Sequence, residues 1–423
     1  MLGRLLLGSV AAALLFSPFA GAQEEFKDDV RKILTEATDL YKQGKFKESY
    51  SKFEEALQKQ PTSDLIYAYM ERVGRDVIAS MMNSKDENLR NVGLRLFELA
   101  KPAGERIRSG KTTVLKYIED LRDNSDMNVQ WSARWHLKNI GPYAARFLVP
   151  YLAQGQEDLF RSRIILTLTE MGTDVSLAVA EALHSKNPTM RRNAAIVLGN
   201  IKDDRTVPAL RRAQLNANET PEVKKLAAEA LIRITRQAEE QWKDAKEYYV
   251  DFAENLYNQS PAAVHAWNRV WLVWRWDEEK DVLTEREVPR FAWSQQLAEE
   301  ALNDALTLDP EYRRDSTGSP WSLLACVHFQ QAIDAENAVA AAEAALKGND
   351  PSFLPEHLDT LKKWLEGADR NAVNAKAVGR MHLYEGLGRC LRDGNSQVAV
   401  EILETLKTEG SPDDLPAAGG DAA

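Results

Sequence analysis

Six histidines are the first candidates for metal or acid–base chemistry in this 423-residue chain: His136, His184, His265, His328, His357 and His382. No two lie within four residues of each other and none belongs to an HExxH pair, so a zinc site would have to converge from distant segments. GxSxG, GxGxxG and GxxxxGK[ST] do not occur, which removes the local signatures of a nucleophile elbow, a dinucleotide fold and a phosphate loop. The one constellation that would support an enzyme joins His265 and His328 to Glu278 and Glu279, and it needs a pocket that the spacing does not predict. No catalytic residue, cofactor or metal is expected, and the chain reads as a non-enzyme.

Tryptophan is the stronger anomaly. The segment VHAWNRVWLVWRWDEE holds Trp267, Trp271, Trp274 and Trp276, with Trp293 close behind. As a helix it would place Trp267, Trp271 and Trp274 on one face, at i, i+4 and i+7. Such a stripe packs between blocks of helices, which is the expectation here. Alternatively it lines a groove for a peptide or glycan, with His265 and Arg269 at its edge. Trp276 points off that face, beside Arg275, and is the ring expected to be exposed. Trp131 and Trp135, one turn apart, are expected in the core by the same argument.

Arg191, Arg192, Arg205, Arg211 and Arg212 form a basic cluster that would align along one surface. Asp203, Asp204, Glu219 and Glu222 stand against them. Ion pairs between neighbouring helices are expected, or else a limited patch offered by Arg191, Arg192 and Arg211 to an acidic partner. Acidic residues exceed basic ones by 64 to 54, for a net charge of −10, which argues against a nucleic-acid groove. Cys326 and Cys390 are too few for a disulfide scaffold; one bridge between them and two separate buried thiols both fit.

The elements that must position these residues are helices. A hydrophobic content of 44% and a charged content of 28% suit a folded chain. From Glu24 onward the apolar spacing is three and four, almost never two. Leu34, Ala37, Leu40 and Tyr41 are followed by a break at Gln43-Gly44, then by Phe46, Tyr50, Phe53, Ala56 and Leu57 up to Pro61. The stretch GKFKESYSKFEEALQKQP resembles the second half of a tetratricopeptide repeat, with Ser49 where that family usually has Ala. Between 128 and 240, four segments repeat around Leu137, Leu168, Leu198 and Leu231, which are 31, 30 and 33 residues apart, with a second set of helices between them. Arg191 to Gln214, with Asp203-Asp204 at the turn and Val207-Pro208 opening the next helix, resembles short HEAT-like repeats. That resemblance implies stacked helical hairpins with a long surface suited to a protein or peptide.

The predicted fold is therefore all-α, an α/α superhelical solenoid. A tetratricopeptide-like hairpin spans 23–66, HEAT-like repeats 67–240 and irregular tetratricopeptide-like helices 241–410, and a tail at 411–423 has too little apolar content to pack. Residues 1–22 read as a signal peptide: Arg4, an apolar run from Leu5 to Phe16, and Ala20-Gly21-Ala22 before a cut at Gln23. No membrane-spanning helix is expected in the mature chain. The functional expectation is an exported, periplasmic or secreted scaffold that binds a protein or peptide. A carbohydrate or cell-wall binder using the Trp-rich segment is the alternative, and an enzyme the third.

Overall fold

The computed structural model describes residues 18–73, 75–108, 110–123, 126–154, 158–265, 271–314, 318–348 and 355–409. The expectations for most of the signal peptide, for Trp267 and Arg269, and for the tail at 411–423 lie outside these residues. The described chain is all-α, its helices packed against their sequence neighbours, with a single two-stranded hairpin among them. It parts into two compact units after Ile107.

The first unit opens with helices Pro18–Lys42 and Phe46–Gln58. Between them Gly44 reverses the chain at φ +76°, a conformation that side-chain-bearing residues resist. Leu34 and Ala37 on one helix and Phe53 and Ala56 on the other are fully buried, as the spacing predicts. Ser49 is buried too; its hydroxyl donates to the Ala37 carbonyl at 2.8 Å, so this polar atom inside the helix contact is satisfied. The first helix runs through Ala22 and Gln23, the expected cut. Helices Ser63–Val73, Arg75–Met82 and Glu87–Arg108 complete the unit.

The second unit contains the 31-residue period. Leu137, Leu168, Leu198 and Leu231 are each fully buried, one per helix of Met127–Ile140, Asp158–Met171, Pro188–Ile201 and Pro221–Thr235. Polar side chains start these helices: Asp126 accepts from Asn128 N at 2.7 Å, Asn187 from Thr189 N at 2.8 Å and Thr220 from Val223 N at 3.3 Å. Residues with positive φ follow them, at Gly141, Gly172, Lys202 and Arg236. The last two repeat helices approach so closely that a Cβ at Gly199 would lie 3.0 Å from that of Ala230. The C-terminal helices are Ala245–Tyr257, Arg290–Leu308, Pro320–Lys347, Pro355–Lys376, Arg380–Asp393 and Ser396–Glu409, and they enclose a second core.

The Trp-rich segment departs from the expected helix. Leu272–Asp277 is a strand, β1, paired antiparallel with β2, Val282–Glu287, with Trp274 opposite Glu285 and Arg275 opposite Thr284. Side chains alternate along a strand, and here both faces are covered. Leu272, Trp274 and Trp276 enter the core of the repeat helices, while Val273 enters the core of the C-terminal helices. The single-face stripe of Trp271 and Trp274 therefore does not exist. Trp276, expected to be exposed, is 8% exposed, and its indole N–H donates to Asp281 Oδ1 at 3.1 Å. The strand joins the two cores of the unit, and the tryptophans supply apolar area on its repeat-facing side.

Candidate functional site

The hairpin is held over the repeat block by polar contacts at its tip and midway along it. At its tip Asp281 accepts from the backbone N–H of Lys186 at 2.8 Å. Midway, Glu181 Oε2 at the end of helix Ser176–Glu181 accepts from Trp276 N at 2.8 Å. Arg275, on the opposite face of β1, is ion-paired to Glu300 and lies 3.5 Å from Asp304, both on helix Arg290–Leu308. Asp304 also takes Arg212 at 3.1 Å. Burial pushes the Glu181 carboxyl up to about 7, against the pull of Arg275.

That shift has a sign. The folded chain holds the Glu181 proton more tightly than the unfolded chain, which releases it near 4.5, so this group's contribution to stability falls as pH rises from 4.5 to 7. The loss is about 3 kcal/mol at most. Glu181→Gln still accepts from Trp276 N and is expected to remove that slope. Urea unfolding at pH 5 and pH 8 should show the variant gaining on the parent by about 2–3 kcal/mol at the higher pH. An equal difference at both pH values means that the carboxyl ionises normally.

The arginines of the basic cluster already have partners. Arg191 forms a two-bond pair with Glu219, 2.6 and 2.8 Å, and Arg192 lies 3.5 Å from Glu222, so both reach from one repeat to the next. Arg211 donates to the Lys243 carbonyl at 3.0 Å and its guanidinium lies 5.4 Å from the Trp242 ring centre. Of the residues proposed beside the tryptophans, His265 is half-buried at the end of the repeat block; burial and the charge of Arg205 depress its pKa. Trp271 is half-buried and packs edge-on against Trp293, centroids 5.4 Å apart, under the guanidinium of Arg290. The structure therefore gathers these residues into internal contacts rather than one groove. Among the described residues no group of three or more His, Cys, Asp or Glu is arranged to hold a metal ion.

Exposed aromatic surface appears where core was expected. On helix Met127–Ile140, Ala133 and Leu137 face inward, while Met127 is 83%, Trp131 62% and Trp135 52% exposed. The three recur every four residues, so they form one stripe along the outer side of the helix. Trp135 meets the ring of His136 edge-on at 5.0 Å, and His136 stacks on Tyr117 of helix Lys111–Arg122 at 4.5 Å. Leu159, on helix Asp158–Met171, is also well exposed. Arg134 pairs with Glu170 at 3.2 Å and ties these two repeat helices together. The signal was in the sequence: helices turn 100° per residue, and Ala133 and Leu137 set an inward face that leaves Trp131 and Trp135 outside it.

Residues 177–242 match the HEAT repeat family. The match covers helices Pro188–Ile201, Val207–Leu215 and Pro221–Thr235, which carry the last two of the four repeat leucines, Leu198 and Leu231. Stacked HEAT-like repeats are thus present in the second unit, and the hairpin geometry on either side of Asp203 follows from them. No curated protein matches the chain. Among solved structures, human deoxyhypusine hydroxylase in complex with glycerol is similar over 70% of this chain and 100% of its own, with 15% identity and a TM-score of 0.20.

Proposed function

We propose that this protein is an exported, non-enzymatic helical-repeat scaffold that binds another protein or a peptide, and that Met127, Trp131 and Trp135 form part of the contact surface. The supporting observation is the exposed stripe itself. A tryptophan carries roughly 150–250 Å² of largely apolar surface, and two adjacent rings left in water are costly unless something covers them. Tryptophan is also the residue type that most often carries binding energy at interfaces. The glycan alternative loses Trp274 and Trp276 as stacking platforms, because both rings are buried. Helices resembling tetratricopeptide repeats at 23–66 and 241–410 fit the same role. Export rests on Arg4, the apolar run to Phe16 and Ala20-Gly21-Ala22, and is tested by sequencing the N-terminus of the protein recovered outside the cytoplasm, expected at Gln23.

Because Trp131 and Trp135 contribute little to the core, Trp131→Ala/Trp135→Ala should fold with unchanged helicity. Immobilised on beads, this variant is expected to retain at least tenfold less of the partner that the parent captures from its native extract. Acrylamide quenching of the parent's exposed indoles should fall when the same partner is bound. Equal retention by variant and parent removes this face from the proposal, and retention of glycan in place of protein reverses the order of the two readings.

A further inference from the structure

The second unit contains a cleft of about 550 Å³, open to solvent, between helices Arg290–Leu308, Pro320–Lys347 and Pro355–Lys376 and the end of β2. That volume lies within the usual range of sites for small organic ligands, about 300–1,000 Å³. Residues 360, 363, 364, 367, 368 and 371 of the last helix line it, a single face repeating at three and four. Asp359, Glu366 and Asp369 of the same helix are not in the lining.

The floor of the cleft is polar, and its carboxylate is already engaged. Glu299 Oε2 accepts from Gln331 at 2.8 Å and from Gln296 at 3.1 Å, and Oε1 lies 3.5 Å from His328 Nε2. Gln331 in turn accepts from Asn371 at 2.9 Å. This ladder crosses three helices and fixes the shape of the opening. Burial works against ionisation of Glu299, but the His328 ring, the Gln331 amide and the charge of Arg286 overcome it and hold the carboxyl below its ordinary range. The only carboxylate in the lining is therefore already engaged by its neighbours.

The rim is different. Arg286, Lys363 and Arg370 are exposed, line the same cleft, and make no ion pair among the described residues. Arg286, Lys363 and Arg370 thus gather three positive side chains around one concavity in a chain of net charge −10. Between them stands Trp364, half-buried, with the Arg286 guanidinium 5.6 Å from its ring centre, and Phe291 contributes a second aromatic surface. Gly367 keeps the wall open: a Cβ there would meet nothing closer than Arg370 at 4.0 Å.

The geometry points to a binding site for an organic carboxylate with a flat apolar body, its ring against Trp364 and Phe291 and its charge among Arg286, Lys363 and Arg370. Arginine suits a planar carboxylate because its guanidinium can give two parallel N–H bonds. The aromatic wall supplies apolar contact that an inorganic anion could not use. A free small acid and an acidic side chain flanked by aromatic residues on a peptide share this chemistry. The site is independent of the Trp131–Trp135 face and stands or falls separately from it.

The test is calorimetric titration of the full chain with 4-phenylbutyrate and with its neutral amide, and, in a second arm, with acetyl-Phe-Glu-Phe-amide and its Gln counterpart. In at least one arm the carboxylate should bind tenfold or more tightly than its amide, with affinity falling as salt rises. Whichever arm responds identifies the source. Lys363→Ala/Arg370→Ala should weaken that binding at least tenfold. Gly367→Leu, which fills the opening and favours the helix, should abolish it while leaving thermal stability unchanged or higher. Equal affinity for acid and amide in both arms, no binding in either, or undiminished binding by Gly367→Leu overturns the inference.

Discussion

Arg205→Met is expected to destabilise the second unit by about 3–5 kcal/mol, close to the largest effect of any single substitution in the repeat block. Arg205 and Asp203 are among the most deeply buried charges in the chain, with side chains 3% and 2% exposed. The guanidinium bridges both carboxylate oxygens at 2.7–3.1 Å and donates to the Thr173 carbonyl at 2.8 Å, so it joins one repeat loop to the preceding one. Ser176 also donates to Asp203. Burial opposes ionisation of Asp203, yet the hydrogen bonds and charge of Arg205 prevail and hold its pKa below the ordinary value. Its contribution to stability is therefore present above the ordinary carboxylate pKa and lost as pH falls through the folded value.

Removing the arginine leaves a buried carboxylate with too few donors, and that residual charge is the source of the loss. Methionine preserves most of the volume, so packing is a minor part of the change. Two comparisons separate the causes. Asp203→Asn/Arg205→Met should recover much of the stability lost by the single variant, since the amide carries no charge. The single variant's deficit should also shrink toward pH 4, where Asp203 regains a proton. If the double variant is as unstable as the single one and the deficit does not change with pH, the arginine acts through shape alone.

Much of this architecture was legible from periodicity. The leucines at 137, 168, 198 and 231 mark one buried position per repeat because a helix of fixed pitch, stacked on a like neighbour, must bury the same position each time. The Asp203-Asp204 turn was also legible, since Asp at a loop start satisfies free N–H groups of the following turn. In the Trp-rich segment the spacing of three and four does not decide the structure, which is a strand. A second pattern was present: Leu272, Trp274 and Trp276 alternate with Val273 and Arg275, and Asp277 to Asp281 is a turn cluster before Val282-Leu283-Thr284. Aromatic and β-branched residues on both sides of such a cluster favour a hairpin. Because both faces of β1 are covered by helices, Val273 is apolar as well, and the alternation of polar and apolar residues that marks a strand is incomplete. The carboxylate cleft was illegible for another reason. Arg286, Glu299, Gln331 and Trp364 come from four elements whose juxtaposition only the tertiary packing supplies.

Oxidation should join Cys326 to Cys390 and stabilise the second unit by about 4 kcal/mol. The sequence left a bridge and two separate thiols equally open; the structure makes the two sulfurs neighbours. Both are free and buried, on helices Pro320–Lys347 and Arg380–Asp393, with Sγ atoms 3.7 Å apart. The helices meet closely there because residue 386 is glycine: a Cβ would lie 3.2 Å from Cys326 Sγ and 3.3 Å from the Ser322 carbonyl. Both sulfurs are shut off from solvent, at 0% and 1% exposed, so an oxidant reaches the folded pair slowly and the bond forms chiefly as the chain folds. With oxidised glutathione, one cysteine thiolate displaces glutathione to give a mixed disulfide, and the second cysteine displaces the other glutathione. The protein loses two hydrogens, and two glutathione thiols are produced. The loop so closed spans 64 residues, and loop-closure entropy removed from the unfolded chain sets the size of the gain. Refolding with oxidised glutathione should give a mass about 2 Da lower than refolding with reductant, no titratable thiol in denaturant, and a higher urea midpoint; Cys390→Ser should show none of these differences. Two titratable thiols after oxidative refolding would mean that the helices cannot close the last gap between the sulfurs, leaving the pair as buried packing.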